Sequence, residues 1–302
     1  MITTFRLPIG DAVESGIEAL TETFGWFFSF IRILFQGMYD SVEFVLLTPS
    51  FWIIIIVAAL LGALARGPLF GLGTAVGFTL IVGVDQWDAS METLALVLVA
   101  AAIAILLSVP IGILAAKSRI ASTVIKPILD VMQTMPAFVY LIPALILFRV
   151  GVVPGIVATI IFAMAPGVRL TELGIRRVDH EIVEAGQAFG STPGRILRQI
   201  QLPLALPTIM AGINQVIMLS LSMVVIAGLV GAQGLGGQVV ASLGRIDIAL
   251  GFEAGLAVVI IAIFLDRVTA SFGTGKGLFI IIRRRWAASA ASAPTDVVPV
   301  KP

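Results

Sequence analysis

Glu184-Ala185-Gly186-Gln187-Ala188-Phe189-Gly190, followed at Gln201-Leu202-Pro203 by a proline that reads as a stop, is a small polar island between two long apolar stretches. A compact, helix-coded loop rich in small residues implies that something docks there from the aqueous side. Asp179 is placed to cap a helix, its carboxylate accepting amide hydrogens of the first turn, and Glu181 suits the positive end of the helix dipole. Ile182, Ala185, Gly186 and Phe189 then fall at i, i+3, i+4 and i+7 on one narrow face, and Gly190 ends the helix. Thr192-Pro193 pairs a cap with a first-turn proline for a second helix carrying Arg195, Ile196, Leu197, Arg198 and Ile200 up to Leu202-Pro203. A loop of this length can fold as two amphipathic helices for no special reason. The Gly-Gly-Pro punctuation weighs against that, because Ala185 and Gly186 let a partner backbone come close and Glu184 offers an acid to a partner's Arg or Lys.

Composition sets the class around this loop. Hydrophobic residues make up 59% of the 302-residue chain and charged residues 12%, with a mean hydropathy of +1.09. Soluble domains carry roughly 25% charged residues, so the chain reads as an all-α polytopic membrane protein. Nineteen basic and eighteen acidic residues leave a net charge of +1, which gives no footprint for nucleic acid. Without cysteine and with His180 alone, neither disulfides nor a metal site is expected. Asp11, Glu14, Glu18 and Glu22 stand where a signal peptide would need a basic start, so no cleavable leader is expected.

A hydrocarbon core of about 30 Å needs about 20 apolar residues per helix. Seven spans are expected, near 46–65, 68–84, 94–115, 131–149, 153–173, 205–231 and 252–272. If the Glu184 loop is cytoplasmic, fifteen Lys and Arg fall inside and only Arg6, Arg32, Arg149 and Arg245 outside. That asymmetry places the N-terminus outside and the C-terminus inside. Three regions follow: an external tail, 1–45; a transmembrane domain, 46–285, whose cytoplasmic loop is about 174–204; and a disordered cytoplasmic tail, 286–302, of Ala, Ser, Pro and Val. Within the first, the aromatic stretch around Arg32 reads as a helix lying on the membrane rather than crossing it, since a central Arg costs ~2.5 to 3.5 kcal/mol on insertion scales. Arg283-Arg284-Arg285-Trp286 reads as an anchor on anionic inner-leaflet lipid.

Polar groups inside the spans point to a transport path or to helix glue, and the residues alone leave both open. Gln133, Thr134, Asn214, Gln215, Ser220 and Ser222 sit in otherwise apolar runs. Pro136 and Pro143 are expected to break the fourth span twice. Met132, Met135, Met164, Met218 and Met223 suit a moving gate or simply fill gaps. Gly71-Leu72-Gly73 with Gly77 lacks the Lys-Ser/Thr of a nucleotide loop and reads as close helix packing, while Gly231 to Gly237 reads as an external turn. His180 reads as a solvated loop residue, and Asp266-Arg267 as neighbouring charges that neutralise each other at the interface.

At Glu184-Ala185-Gly186, Gly190 and Ile200-Gln201-Leu202-Pro203 the chain resembles the "EAA" loop of binding-protein-dependent ABC importer permeases, with Gly186 in place of the commoner second Ala. Gln133 to Pro143 (QTMPAFVYLIP), Pro166 to Thr171 (PGVRLT) and Ala211 to Ala227 are similar to the glycine betaine/proline betaine branch of that family. The resemblance covers roughly residues 45 to 285. It implies a type I ABC importer permease fold of about seven spans, in a bacterial inner membrane. It implies a coupling helix, with Glu184, Ala185, Gly186, Phe189, Gly190, Leu202 and Pro203 at the contact, seated in a cleft of a cytoplasmic ATPase. Two ATPase subunits, which alone would bind ATP and magnesium, would serve a homodimer of this chain fed by an external betaine-binding protein. A path past Gln133, Thr134, Met135, Pro136, Phe138, Tyr140, Asn214, Gln215 and Ser222 follows, and the rings of Phe138 and Tyr140 would attract a quaternary ammonium. Two other classes compete. An ion-coupled carrier would need an intramembrane acid, for which Asp130, Glu172 and Asp266 all lie near inner span ends, and a channel or structural membrane protein would have no use for the loop.

Overall fold

The computed structural model describes residues 9–274, and each secondary-structure element there is helical. Arg6, Lys276, Arg283, Arg284, Arg285, Trp286, Lys301 and the expected tail 286–302 lie outside the described residues. Helix α1 (Ile9–Leu47) is kinked at Phe24, whose φ of −115° and ψ of 20° leave the helical region. Thr48 precedes Pro49, is pushed out of the α conformation and ends the helix. Helix α2 (Phe51–Arg66) departs at 98°, so the run expected at 46–65 begins inside α1 and crosses this corner. Arg32 interrupts no packing, because it lines a polar pocket of about 610 Å³ with Gln36, Asp40 and Arg149.

Helix α3 (Pro68–Gly83) returns along α2, and a Cβ on Gly71 would lie 2.7 Å from the Ala59 carbonyl oxygen. The core is a stack of α4 (Trp87–Lys117), α7 (Val152–Arg176) and α10 (Leu202–Ser222). Small residues let these backbones approach. An added Cβ would meet Val168 O at 2.7 Å from Gly112 and Ser108 Oγ at 2.5 Å from Gly167. From Gly174 it would meet Ala205 O at 3.2 Å, and from Gly212 the Leu170 Cβ at 3.0 Å. Between α4 and α7 lie α5 (Arg119–Thr134) and α6 (Ala137–Phe148), bent by 96° across Met135-Pro136. The expected span 131–149 is therefore the corner of a broken pair. Only one of its two prolines breaks it, since Pro143 is carried inside α6.

After α7 the chain forms α8 (His180–Ala188) and α9 (Pro193–Ile196), then a π turn (Leu197–Gln201) that runs straight into α10. Leu202-Pro203 is consequently not a stop. The π turn widens the helix where the Pro203 ring would meet the Gln199 carbonyl, and Pro203 lacks only an amide hydrogen the wide turn can spare. Beyond a break at Met223 come α11 (Val224–Gly228), α12 (Leu235–Arg245) and α13 (Ile248–Thr274). The Gly231–Gly237 stretch is a packed reversal rather than a free external turn. The Leu235 amide donates to Thr93 Oγ1 at 2.8 Å, and a Cβ on Gly236 would stand 2.0 Å from the Val224 carbonyl oxygen.

Among the described residues four helices are long and apolar enough to cross a membrane: Trp87–Lys117, Val152–Arg176, Pro193–Gly228 and Ile248–Phe272. Counting each bent pair as one span gives up to six, with α3 a shorter apolar helix besides. All seven apolar runs lie in helices, but the corners at Pro49 and Pro136 redraw which of them are continuous. Gly236→Ala is expected to lower stability by about 2 kcal/mol through overpacking, measured as the thermal midpoint in detergent. Gly244→Ala, where a Cβ meets nothing within 4 Å, should leave it unchanged or raise it by up to ~1 kcal/mol.

Candidate functional site

The loop between α7 and α10 is a helix, a turn and a second helix. Asp179 caps α8 by accepting from the Glu181 amide at 3.0 Å. At the other end Gly190 sits at φ +73°. Its amide donates to Gln187 O at 2.8 Å and the Ser191 amide to Gly186 O at 3.1 Å, the paired bonds of a Schellman stop. Thr192 makes no side-chain cap, and Pro193 opens α9 at its first turn.

The narrow face divides. Gly186 turns inward, where an added Cβ would be 2.8 Å from Ile200 Cδ1 and 3.6 Å from Ile196 Cγ1. Its lack of a side chain seats the second helix against the first, so the close approach it allows is internal. Ile182, Ala185 and Phe189 face solvent, and Phe189 is 90% exposed. Nothing in α8 is buried. Glu184 is also exposed, and His180 is the exposed loop residue expected, its Nδ1 3.0 Å from the Glu184 carboxylate. Leu202 and Pro203 lie beyond the π turn at the start of α10, Leu202 packing with Ile175, Leu197 and Ala205.

One turn before the loop, Glu172 on α7 is 5% exposed and gathers three elements. Ser122 Oγ of α5 donates to it at 2.7 Å, Arg176 Nε lies 2.9 Å away and Lys126 Nζ 3.5 Å. Arg176 Nη2 in turn donates to Ala115 O near the end of α4 at 2.8 Å. Glu172 is thus a buried acid, but one held by partners. A second tie, between Arg169 and Asp130, joins α7 to α5 further along. Asp266 is likewise engaged. Asn214 Nδ2 of α10 donates to it at 3.0 Å, the Thr269 hydroxyl donates to Asn214 Oδ1, and Arg267 stands at 3.7 Å.

The path residues separate into groups. Asn214 is bound to α13 and acts as glue between helices. Ser220 and Ser222 donate to carbonyls one turn back in their own helix, and the Thr134 hydroxyl reaches Val131 O at 3.3 Å. Gln133, Thr134, Pro136, Gln215 and Ser222 are exposed and Met135 half-buried. Phe138 and Tyr140 do not form one aromatic site, because residues two apart on a helix point to opposite sides. Phe138 is exposed, whereas Tyr140 packs against a cluster holding Ala137, Leu141 and Met223. That cluster joins the two broken helices, the Met135-Pro136 corner and the Met223 break. The Tyr140 hydroxyl is buried there with no hydrogen-bond partner among the described residues.

Residues 108–274 match the family described as "Binding-protein-dependent transport system inner membrane component". The chain belongs to that family. This permease is 48% identical to the glycine betaine/carnitine transport permease protein GbuB of Listeria monocytogenes, over 88% of its own length and 95% of the relative's. It is 47% identical to the glycine betaine transport system permease protein OpuAB of Bacillus subtilis, over 90% and 96%. The fold is that of an importer permease: the inward-facing MetNI methionine ABC transporter superposes with a TM-score of 0.56, at 23% identity, over 62% of this chain and 95% of that one.

The Glu172 knot was not singled out from the permease's sequence, although a signal exists. Glu172 and Arg176 stand at i, i+4 on α7, and Ser122 and Lys126 at i, i+4 on α5, each pair on one face. Glu172→Ala is expected to cost about 2 kcal/mol, less than a fully buried pair because both cations are partly solvated. Glu172→Gln, which still accepts from Ser122, should cost about half of that, both read from thermal unfolding. Gly190→Ala should cost ~1 to 2 kcal/mol of local stability in the left-handed position, seen as faster amide exchange in α8 with the α4, α7 and α10 stack unchanged.

Proposed function

We propose that this permease is the membrane subunit of an ATP-driven importer of quaternary-amine osmoprotectants: glycine betaine, proline betaine and choline. The substrate class is supported by the names of its relatives, which include the choline transport permease protein OpuBB of Bacillus subtilis at 32% identity. Two copies of the chain form the pore, two ATPase subunits bind ATP and magnesium and hydrolyse the ATP, and an external binding protein delivers the solute. The N-terminus lies outside and the C-terminus in the cytoplasm, on the strength of the fifteen-to-four division of Lys and Arg. Residues 1–45 then hold a helix whose exposed Trp26, Phe30 and Ile33 lie on the membrane surface.

The observation that carries the reading is α8. A capped helix with no buried residue, ending in a Phe189 that is 90% exposed, projects from the inner end of the core. Ile182 and Phe189, seven residues apart on one face and both exposed, give that helix an apolar edge suited to a partner's cleft. In the assembly Glu184 and Phe189 meet the ATPase, and movement of the loop reaches α5 through Glu172, Lys126 and Ser122. From there it acts on the Met135-Pro136 corner that α6 and Met223 share. An ion-coupled carrier requires an acid free to exchange its charge, and Glu172 and Asp266 both spend their carboxylates on neighbouring helices.

Purification from native membranes should bring down the ATPase with the wild-type chain. Phe189→Asp and Glu184→Lys should insert normally yet lose most of that copurification, and with it at least ~90% of betaine uptake, about 1.4 kcal/mol of coupling. Normal uptake by either variant would refute the contact, and sodium- or proton-driven uptake by the chain alone would refute the class. A single cysteine at Phe189, in a chain that otherwise has none, should react with an impermeant maleimide in inverted vesicles stripped of the ATPase, be protected when the ATPase is bound, and not react in intact cells. Uptake competition among the three solutes ranks the substrates.

A further inference from the structure

A groove of about 480 Å³ runs between α3 and α13, outside the core stack and independent of the transported solute. Its walls are Leu69, Phe70, Phe78, Ile260 and Phe264; Gly73 hollows its floor, while Gly77 lies against Ile260, whose Cγ2 would stand 2.9 Å from an added Cβ. Phe78 and Phe264 close its deep end, ring against ring at 5.3 Å. At its mouth stands Arg66, the last residue of α2, exposed and with no acid or hydrogen-bond partner among the described residues. Besides that guanidinium the lining carries Thr74, whose hydroxyl donates to the Phe70 carbonyl oxygen at 2.9 Å, and is otherwise apolar.

Its dimensions match one leaflet. From Leu69 to Phe78 the chain takes nine steps along α3, about 14 Å at ~1.5 Å per residue. Half of a hydrocarbon core is about 15 Å. The groove therefore reaches from the interface, where Arg66 lies, to the level of the bilayer midplane. On the topology proposed above the mouth opens in the cytoplasmic leaflet, where anionic lipids concentrate. A slot of this length, apolar in depth and cationic at the rim, complements an amphiphile with a long tail and a phosphate head. A second copy of the chain would instead bring more apolar side chains to a mouth that still lacked a counter-ion.

We infer that the α3–α13 groove binds an anionic phospholipid, one acyl chain lying over Gly73 and the phosphate paired with Arg66. Occupation fills the space left between α3 and α13 beside their direct contacts, Phe78 on Phe264 and Gly77 on Ile260. The lipid is a structural ligand at the periphery and takes no part in the solute path.

Two variants separate head from tail. Arg66→Gln removes the charge. Gly73→Phe fills the slot from a position where an added Cβ meets nothing within 4 Å, so the fold accommodates it. The complex is reconstituted in nanodiscs of phosphatidylcholine with a minority of phosphatidylglycerol, extracted, and its retained lipid counted by native mass spectrometry. Wild type should retain phosphatidylglycerol over phosphatidylcholine by about fivefold, the weight of one cation beside an anionic headgroup. Arg66→Gln should keep a lipid but lose the preference, and Gly73→Phe should lose the lipid. Equal phosphatidylglycerol retention by all three proteins overturns the proposal. So does disulfide cross-linking of Leu69→Cys to its own copy, which would assign the groove to a protein interface. Failure of the lipid assay leaves ATPase copurification through α8 intact, so the two readings fall separately.

Discussion

The close contact of α7 with α4 on one flank and α10 on the other is the constraint from which the rest of the structure follows. Lipid tails are as apolar as leucine, so helices in a membrane gain little from hiding hydrophobic surface and must win their association from packing. Gly112, Gly167, Gly174 and Gly212 supply that packing by letting backbone lie on backbone. With α7 fixed from both sides, its inner end is fixed too. The carboxylate of Glu172 then stands where α5 can reach it, and Arg176 where it can reach α4. The position of α8 is inherited from that arrangement, since only Arg177, Val178 and Asp179 separate it from α7.

Charges within this apolar body are tolerated by different means, each visible in the geometry. Glu172 is surrounded by donors, Asp266 accepts from a neighbouring helix, and Arg32 opens into a polar pocket beside Arg149. Isolated charges at such depths are costly, and pairing or access to water removes most of that cost. The same logic explains how Asn214, polar and mid-helix, is held: its amide donates to Asp266 across to α13.

What the sequence made legible was what depends on near neighbours. The cap at Asp179 and the stop at Gly190 are bonds spanning two to five residues, and the residue types alone imply them. The all-helical membrane class needed only composition. What escaped depends on partners far along the chain or on the turn that precedes a residue. Gly186 owes its smallness to Ile196 and Ile200, which reach it only after the chain has folded back. Prolines show the point most plainly: Pro136 makes a 96° corner, whereas Pro143 and Pro203 are absorbed into continuing helices. A proline marks a lost hydrogen bond, and whether the helix survives is decided by what neighbouring elements hold in place. Phe138 and Tyr140 are adjacent in meaning but not in space, since residues two apart on a helix point about 200° from each other.

The π turn at Leu197–Gln201 has a consequence for phase. Leu197, Ala205 and Ile209 belong to one buried cluster with Ile175, yet they stand eight and twelve residues apart. In an uninterrupted α-helix, at ~100° per residue, Ala205 and Ile209 would be rotated from Leu197 by about 80° and 120°. A π turn takes up roughly one extra residue and brings both to within ~20° of it. The wide turn is thus a register correction: it lets one unbroken helix present its loop end and its membrane end to the same side of α7.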